Sequence, residues 1–328
     1  MSGFPGFPAP RYVQTNAIRM AVYEAGPQDS AYPPIVFCHG FPELAFSWRH
    51  QIRDLAARGF RVIAPDQRGY GLTPHKGPVE DFDMEHLVGD LIGLLDAEGI
   101  EKAVFCGHDW GGIVVWQIPL RHPERVAGVI GLNTPFMRRT PIDPIEAMRL
   151  SFGEDMYIVY FQKPGAADAA LDADPEKAMR FFMRRPSGSP ASPPQRPAGG
   201  SSFALIDMLK AYDPKADVMN QLLTPEELGV FVDAFRRTGF TGGINWYRNF
   251  TRNWRNGADL PERVDAPALM IMAELDAILS PAMAEGMERF VPNLTKHLVK
   301  GSGHWTQQEK PEEVTRVIGE WMAKTFPA

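Results

Sequence analysis

Cysteine is nearly absent from this chain: Cys38 and Cys106 are the two in 328 residues, each near the end of an apolar run. Thiols so placed exclude a disulfide framework and read as inert side chains in a reducing compartment, so a cytoplasmic location is expected. Met1 to Pro10 has neither the basic nor the apolar segment of a secretory signal, and no apolar run approaches the length of a membrane span. Positive charge is not in surplus either. A formal net charge of -6 leaves no footprint for nucleic acid. The eight histidines are scattered without a His-Glu-x-x-His spacing, so no metal site is expected. Gly-x-Gly-x-x-Gly and the Lys-Ser/Thr pair of a P-loop are also missing, which argues against a phosphate cradle. What remains is an ordinary globular composition, 44% hydrophobic and 23% charged, long enough for one large domain carrying an insertion.

Along the chain, strand-like and helix-like segments alternate. Arg11 to Glu24 suits an antiparallel hairpin turning near Asn16, and Pro34 to Cys38 is a buried strand. Ser47 to Arg58 has helical spacing, Arg61 to Asp66 is a strand, and Met84 to Glu98 is an amphipathic helix stopped by Gly99. Val126 to Leu132 and Ala268 to Ala273 are further strands, followed by a helix over Pro281 to Phe290, a strand at His297 to Val299 and a helix over Pro311 to Lys324. This rhythm predicts an α/β fold with a doubly wound, mostly parallel sheet. It breaks between residues 135 and 254, a helical stretch rich in Met, Phe and Tyr, within which Arg184 to Ser202 reads as a flexible Pro/Ser/Gly-rich loop. The expected organisation is a core of residues 1–134 and 255–328 with a helical cap, or lid, over the strand ends.

One turn organises the chemistry. Val104 to Cys106 is an apolar strand, and Gly107, Gly111 and Gly112 then crowd around Asp109 before a helical pattern running to Arg121. Small residues on both sides of an exposed central side chain have the form of a nucleophile elbow. Asp276 and His304 follow at later strand ends, and nucleophile, acid, then histidine is the triad order of α/β-hydrolases. Glu274 is a rival for the acid. Asn133 stands where such folds sometimes place it, but cannot ionise.

An Asp nucleophile fits attack on saturated carbon. Ser would leave a stable ether, whereas Asp leaves an alkyl ester whose own carbonyl water can attack. His304, oriented by Asp276, is the expected base for that water, and the backbone N–H groups of Phe41 and Trp110 are the natural oxyanion donors. The leaving group is then a halide or the oxygen of an epoxide. A halide needs N–H donors alone. An epoxide leaves as a strongly basic alkoxide and needs a proton, for which a Tyr hydroxyl is suited at neutral pH.

Six segments carry a family resemblance: His39-Gly40-Phe41-Pro42-Glu43, Asp66-Gln67-Arg68-Gly69-Tyr70-Gly71, Gly107-His108-Asp109-Trp110-Gly111-Gly112, Tyr160-Phe161-Gln162, Asn245-Trp246-Tyr247-Arg248-Asn249 and Gly303-His304-Trp305. With these the chain resembles the soluble-type epoxide hydrolases of the α/β-hydrolase fold over essentially its whole length, in the bacterial single-domain form. The resemblance implies a cofactor-independent enzyme taking a small-molecule epoxide and water to a diol. It puts the epoxide-oxygen donors on Tyr160 and Tyr247, with Tyr157 a rival for the first, and Phe41, Trp110 and Trp246 around the substrate. Haloalkane dehalogenases resemble the elbow, and Trp110 fits their halide-holding Trp, but they commonly carry Asn at the position of Phe41 and lack the tyrosine pair. Fluoroacetate dehalogenases usually carry Arg where this chain has Trp110. A non-catalytic receptor on a hydrolase scaffold would not need Asp109, Asp276 and His304 together. Met137, Met148, Phe152, Met156, Phe181 and Phe182 suit either an adaptable apolar pocket or core packing.

Overall fold

Four apolar runs, Ile35–Cys38, Val62–Pro65, Ala103–His108 and Ala268–Ala273, are buried almost throughout and lie inside the sheet. A computed structural model describes residues 4–186 and 203–327. Most of the expected loop over Arg184 to Ser202 therefore lies outside the described residues. Among them, eight strands form one sheet: β1 (Arg11–Thr15), β2 (Ile18–Ala25), β3 (Ile35–Cys38), β4 (Val62–Pro65), β5 (Ala103–His108), β6 (Val126–Leu132), β7 (Ala268–Ala273) and β8 (Leu294–Val299). Their spatial order is β1-β2-β4-β3-β5-β6-β7-β8. The β1/β2 and β2/β4 pairs are antiparallel and all others parallel. The hairpin turns at Asn16 and Ala17, both at positive φ, as a tight turn between twisted strands requires.

Alternate residues of the central strands feed two cores. Val36 and Phe105 point into one, Ile35, Phe37 and Val104 into the other. Each such side chain withdrawn from water contributes about 1.5–3 kcal/mol, so a strand wetted on one face would forfeit half its driving force. Helices α1 (Arg49–Ala56), α2 (Met84–Ala97) and α3 (Trp110–Arg121) supply that cover, with α12 (Thr306–Glu309) and α13 (Pro311–Thr325) at the end of the chain.

Between β6 and β7 the described residues form α4 (Pro144–Phe152), α5 (Tyr157–Tyr160), α6 (Ala166–Asp172), α7 (Pro175–Phe182), α8 (Leu205–Ala211), α9 (Pro225–Thr238), α10 (Thr241–Arg248) and α11 (Phe250–Asn256). Helix α9 starts with a reciprocal cap: Thr224 accepts from the Glu227 N–H, and the Glu227 carboxylate accepts from the Thr224 N–H. The other oxygen of Glu227 takes Arg49 Nε at 2.8 Å, tying this helix to α1. The expected helix over Pro281 to Phe290 is absent. Two 3₁₀ turns stand there, Pro281–Ala284 and Met287–Arg289, because Gly286 adopts φ +70° between them and stops propagation.

In this sheet the chain runs from β3 to β4 on one side and from β5 to β6 on the other. The crevice between the β3 and β5 C-termini is the switch point where open α/β sheets bind ligands. Asp109 and the turn His39 to Glu43 both emerge there.

Candidate active site

Asp109 sits between β5 and α3 at φ 52°, ψ -119°, a backbone conformation costly for any residue with a Cβ. Neighbours force it. A Cβ on Gly111 would lie 2.0 Å from the Cys38 carbonyl oxygen, so only glycine lets α3 start this close to β3. The Thr134 hydroxyl donates to the Asp109 carbonyl at 2.8 Å and pins the turn from β6.

The Asp109 carboxylate is held from two sides. Oδ1 accepts the Phe41 N–H at 2.8 Å, and the Trp110 N–H also donates to the carboxylate. Oδ2 lies 3.7 Å from His304 Nε2. Burial pushes the Asp109 carboxyl up, and the His304 and His108 rings with the two N–H groups draw it part of the way back. On the far side of the ring, His304 Nδ1 lies 2.9 Å from Asp276 Oδ2. Asp276 also accepts the Ile278 and Leu279 N–H groups at 2.9 and 3.0 Å. Burial alone would raise Asp276; its contacts to His304 and Asn133 hold it well below the carboxylate range. Burial alone would lower His304; the charge and hydrogen bond of Asp276, helped by Asp109, raise it to about 9. The structure thus brings Asp109, His304 and Asp276 together, whereas Glu274 turns away to accept the Gly301 N–H.

Three groups behind the site leave little mark in the sequence. Asn133 donates to Asp276 Oδ2 at 2.7 Å and to the His304 carbonyl at 3.1 Å. His108 bridges Glu43 Oε2 and the His304 carbonyl, each at 2.7 Å, with both side chains fully buried. Glu309 accepts the N–H groups on either side of His304, from Gly303 at 2.8 Å and Trp305 at 3.0 Å. The signal for Glu309 was available: an acid shortly after a helix start often reaches back to cap it.

Above Asp109 stand aromatic rings from the helices. Tyr247 packs edge-on to Trp110, 5.0 Å between centroids, and to Phe41, 5.3 Å. Its hydroxyl makes a side-chain hydrogen bond with Trp110 and is driven far up by burial and by the charge of Asp109. The ring brought to Tyr247 is Tyr157, 5.9 Å away, and its hydroxyl is pushed up by burial and by the charges of Asp109 and Asp276. Tyr160 is placed differently. One turn further along α5, its ring lies 5.1 Å from Lys163 Nζ, and it is not among the groups acting on the Tyr247 hydroxyl. The pairing expected for Tyr160 thus falls to Tyr157, because three residues along a helix turn a side chain by about 60° and lift it by about 4.5 Å. Trp246 is fully buried: its Nε1 donates to the Arg68 carbonyl at 3.1 Å, and its ring packs edge-on against Tyr70 at 5.3 Å and against Trp110 at 5.8 Å.

An apolar cleft of about 230 Å³ opens beside Trp110 and is lined by Met84, Ile113, Met137, Met148 and Phe250. Of the other apolar candidates, Phe182 meets Phe41 at 5.8 Å, Met156 and Phe181 are core, and Phe152 is exposed. No helix among the described residues is long and apolar enough to cross a membrane.

Known proteins are similar to this chain in sequence and fold. The family described as alpha/beta hydrolase fold matches residues 33–311. Epoxide hydrolase A of Mycobacterium tuberculosis is 43% identical over 97% of this chain and 98% of its own length. The bifunctional epoxide hydrolase 2 of Sus scrofa is 40% identical over 88% of this chain, which spans 51% of that protein. Among solved structures, epoxide hydrolase A of Mycobacterium thermoresistibile superposes with a TM-score of 0.86 at 42% identity, covering 96% of this chain and 98% of that one. Potato (Solanum tuberosum) epoxide hydrolase I gives 0.82 at 33% identity, covering 96% and 99%.

Proposed function

This chain belongs to the epoxide hydrolases of the α/β-hydrolase fold, and we propose that it converts a small-molecule epoxide and water to a vicinal diol through an alkyl ester on Asp109. The observation that carries this reading is the pair of hydroxyl-bearing rings, Tyr157 and Tyr247, 5.9 Å apart over a carboxylate held by the Phe41 N–H. The Asp109 carboxylate attacks one epoxide carbon. The C–O bond on that carbon breaks, and the departing oxygen takes a proton from one tyrosine while the other donates a hydrogen bond.

Water then attacks the ester carbonyl and gives its proton to His304 Nε2, whose other nitrogen is fixed on Asp276. Such base assistance contributes about 10²–10⁴-fold. The Phe41 and Trp110 N–H groups receive the oxyanion, each worth about 3–4 kcal/mol. Collapse expels the diol oxygen, which takes the second proton of the attacking water and leaves Asp109 a carboxylate, and the His304 proton returns to the tyrosine. A halide would instead require the Trp110 indole as a donor and no proton, which would leave the two tyrosine hydroxyls without a role.

We assign residues 135–254 as a cap over a core of 1–134 and 255–328. The scarcity of cysteine supports a cytoplasmic location. Single turnover in ¹⁸O-water tests the mechanism: the label is expected in the Asp109 carboxylate, and label found only in the diol rejects the ester. His304→Gln is expected to accumulate that ester, visible as added protein mass.

A further inference from the structure

The segment Asp66 to Gly71 takes no part in the chemistry above, yet it is held from several sides. Asp66 accepts the Ala45 and Leu72 N–H groups at 3.1 and 2.9 Å. Arg68 grips Asp90 of α2 through two bonds of 2.8 and 2.6 Å, with both side chains buried. Gln67 is tied to the turn that carries Phe41: its N–H donates to His39 Nε2 at 3.0 Å, and its side-chain amide donates to the His39 carbonyl at 2.6 Å. One side of this loop thus fixes the Phe41 turn.

The other side receives α10, which carries Tyr247. The contact is backbone on backbone. A Cβ on Gly242 would lie 2.5 Å from the Gly69 carbonyl oxygen and 2.8 Å from its Cα, and a Cβ on Gly69 would lie 2.9 Å from Gly242 Cα. Four residues along α10, the Trp246 indole N–H closes on the Arg68 carbonyl at 3.1 Å. Helix α10 therefore meets this loop with no room for a side chain between the main chains, and the Trp246 bond, with that of Asn249 Nδ2 to the Val79 carbonyl at 2.6 Å, fixes its rotation.

We propose that loop 66–71 is the seat that sets the height of Tyr247 above Asp109, with Gly69, Gly242 and Trp246 as positioning residues for ring opening; this rests on Tyr247 as a proton or hydrogen-bond donor. The seat refers both the Phe41 N–H and the Tyr247 hydroxyl to one rigid loop, so the two ends of the breaking bond share a reference. A methyl group at position 242 lifts α10 by about the 1 Å displacement that can cost a reaction about 10²-fold.

Gly242→Ala and Trp246→Phe would be made in the wild-type and in the Tyr247→Phe background, with folding checked by thermal melting. Rapid quench with styrene oxide and mass spectrometry would resolve ester formation from ester hydrolysis. Gly242→Ala is expected to slow ester formation by about tenfold or more, to change ester hydrolysis by less than about twofold, and to cost nothing further once Tyr247 is Phe. Trp246→Phe is expected to act in the same direction more weakly, and it decides the matter if Gly242→Ala does not fold. Equal losses in both backgrounds, equal slowing of both steps, or no loss overturns the seat. Should Tyr247→Phe itself leave ester formation unchanged, the donor assignment falls and the seat falls with it.

Discussion

Asp109 and His304 titrate against each other. With Asp109 ionised, the imidazole holds its proton up to about 9 and is a poor base at neutral pH. Esterification removes the Asp109 charge, and with it one of the contributions that raise His304. The ring then holds its proton less tightly at the stage that calls for a base. The sign is testable without substrate: Asp109→Asn mimics the neutral ester, and an NMR titration of His304 should give a lower pKa in that variant than in wild type. An equal or higher value rejects the coupling. Among the tyrosines, Tyr157→Phe is expected to slow epoxide opening by about 10²-fold, while Tyr160→Phe leaves it near wild type; steady-state rates with styrene oxide would separate them. The sequence could not settle that choice, because both tyrosines lie on one turn of α5 and only the surrounding rings distinguish them.

At the scale of elements, the loop between β8 and α12 has to present His304 without a regular strand or helix to hold it. Glu309 does this by accepting the Gly303 and Trp305 N–H groups from inside the fold. Glu309→Ala leaves two buried donors unpaired, and each costs about 1–3 kcal/mol. A loss of at least about 2 kcal/mol is expected in denaturant unfolding, with kcat falling more than KM rises. Strands were legible from the sequence because burial on both faces writes an unbroken apolar run, as at β3, β5 and β7. The region of residues 281–290 was not, since the apolar pattern continues while Gly286 interrupts the backbone. Contacts such as Asn133 to Asp276, 143 residues apart, have no period to betray them.

For the molecule as a whole, several polar contacts among the described residues join the helices between β6 and β7 to the rest of the fold, and the ion pair of Arg49 is one of the most buried. Arg49 reaches Glu227 of α9 at 2.8 Å and Gln308 of α12 at 2.7 Å while nearly fully buried. Removing one partner of a buried pair costs about 3–5 kcal/mol because the other charge is left behind. Arg49→Ala is therefore expected to lose about 3 kcal/mol, and hydrogen exchange should report faster opening first in Pro225–Thr238.

The backbone of Asp109 carries a consequence of another kind. At φ 52° and ψ -119° the residue sits where folding by itself would not put a side chain, at a cost of about 1–3 kcal/mol, and burial of its charge adds to that cost. Asp109→Gly is expected to melt higher than wild type although it cannot form the ester. A library screened for heat tolerance alone would therefore drift toward inactive proteins, and it would begin by discarding the residue around which the site is built.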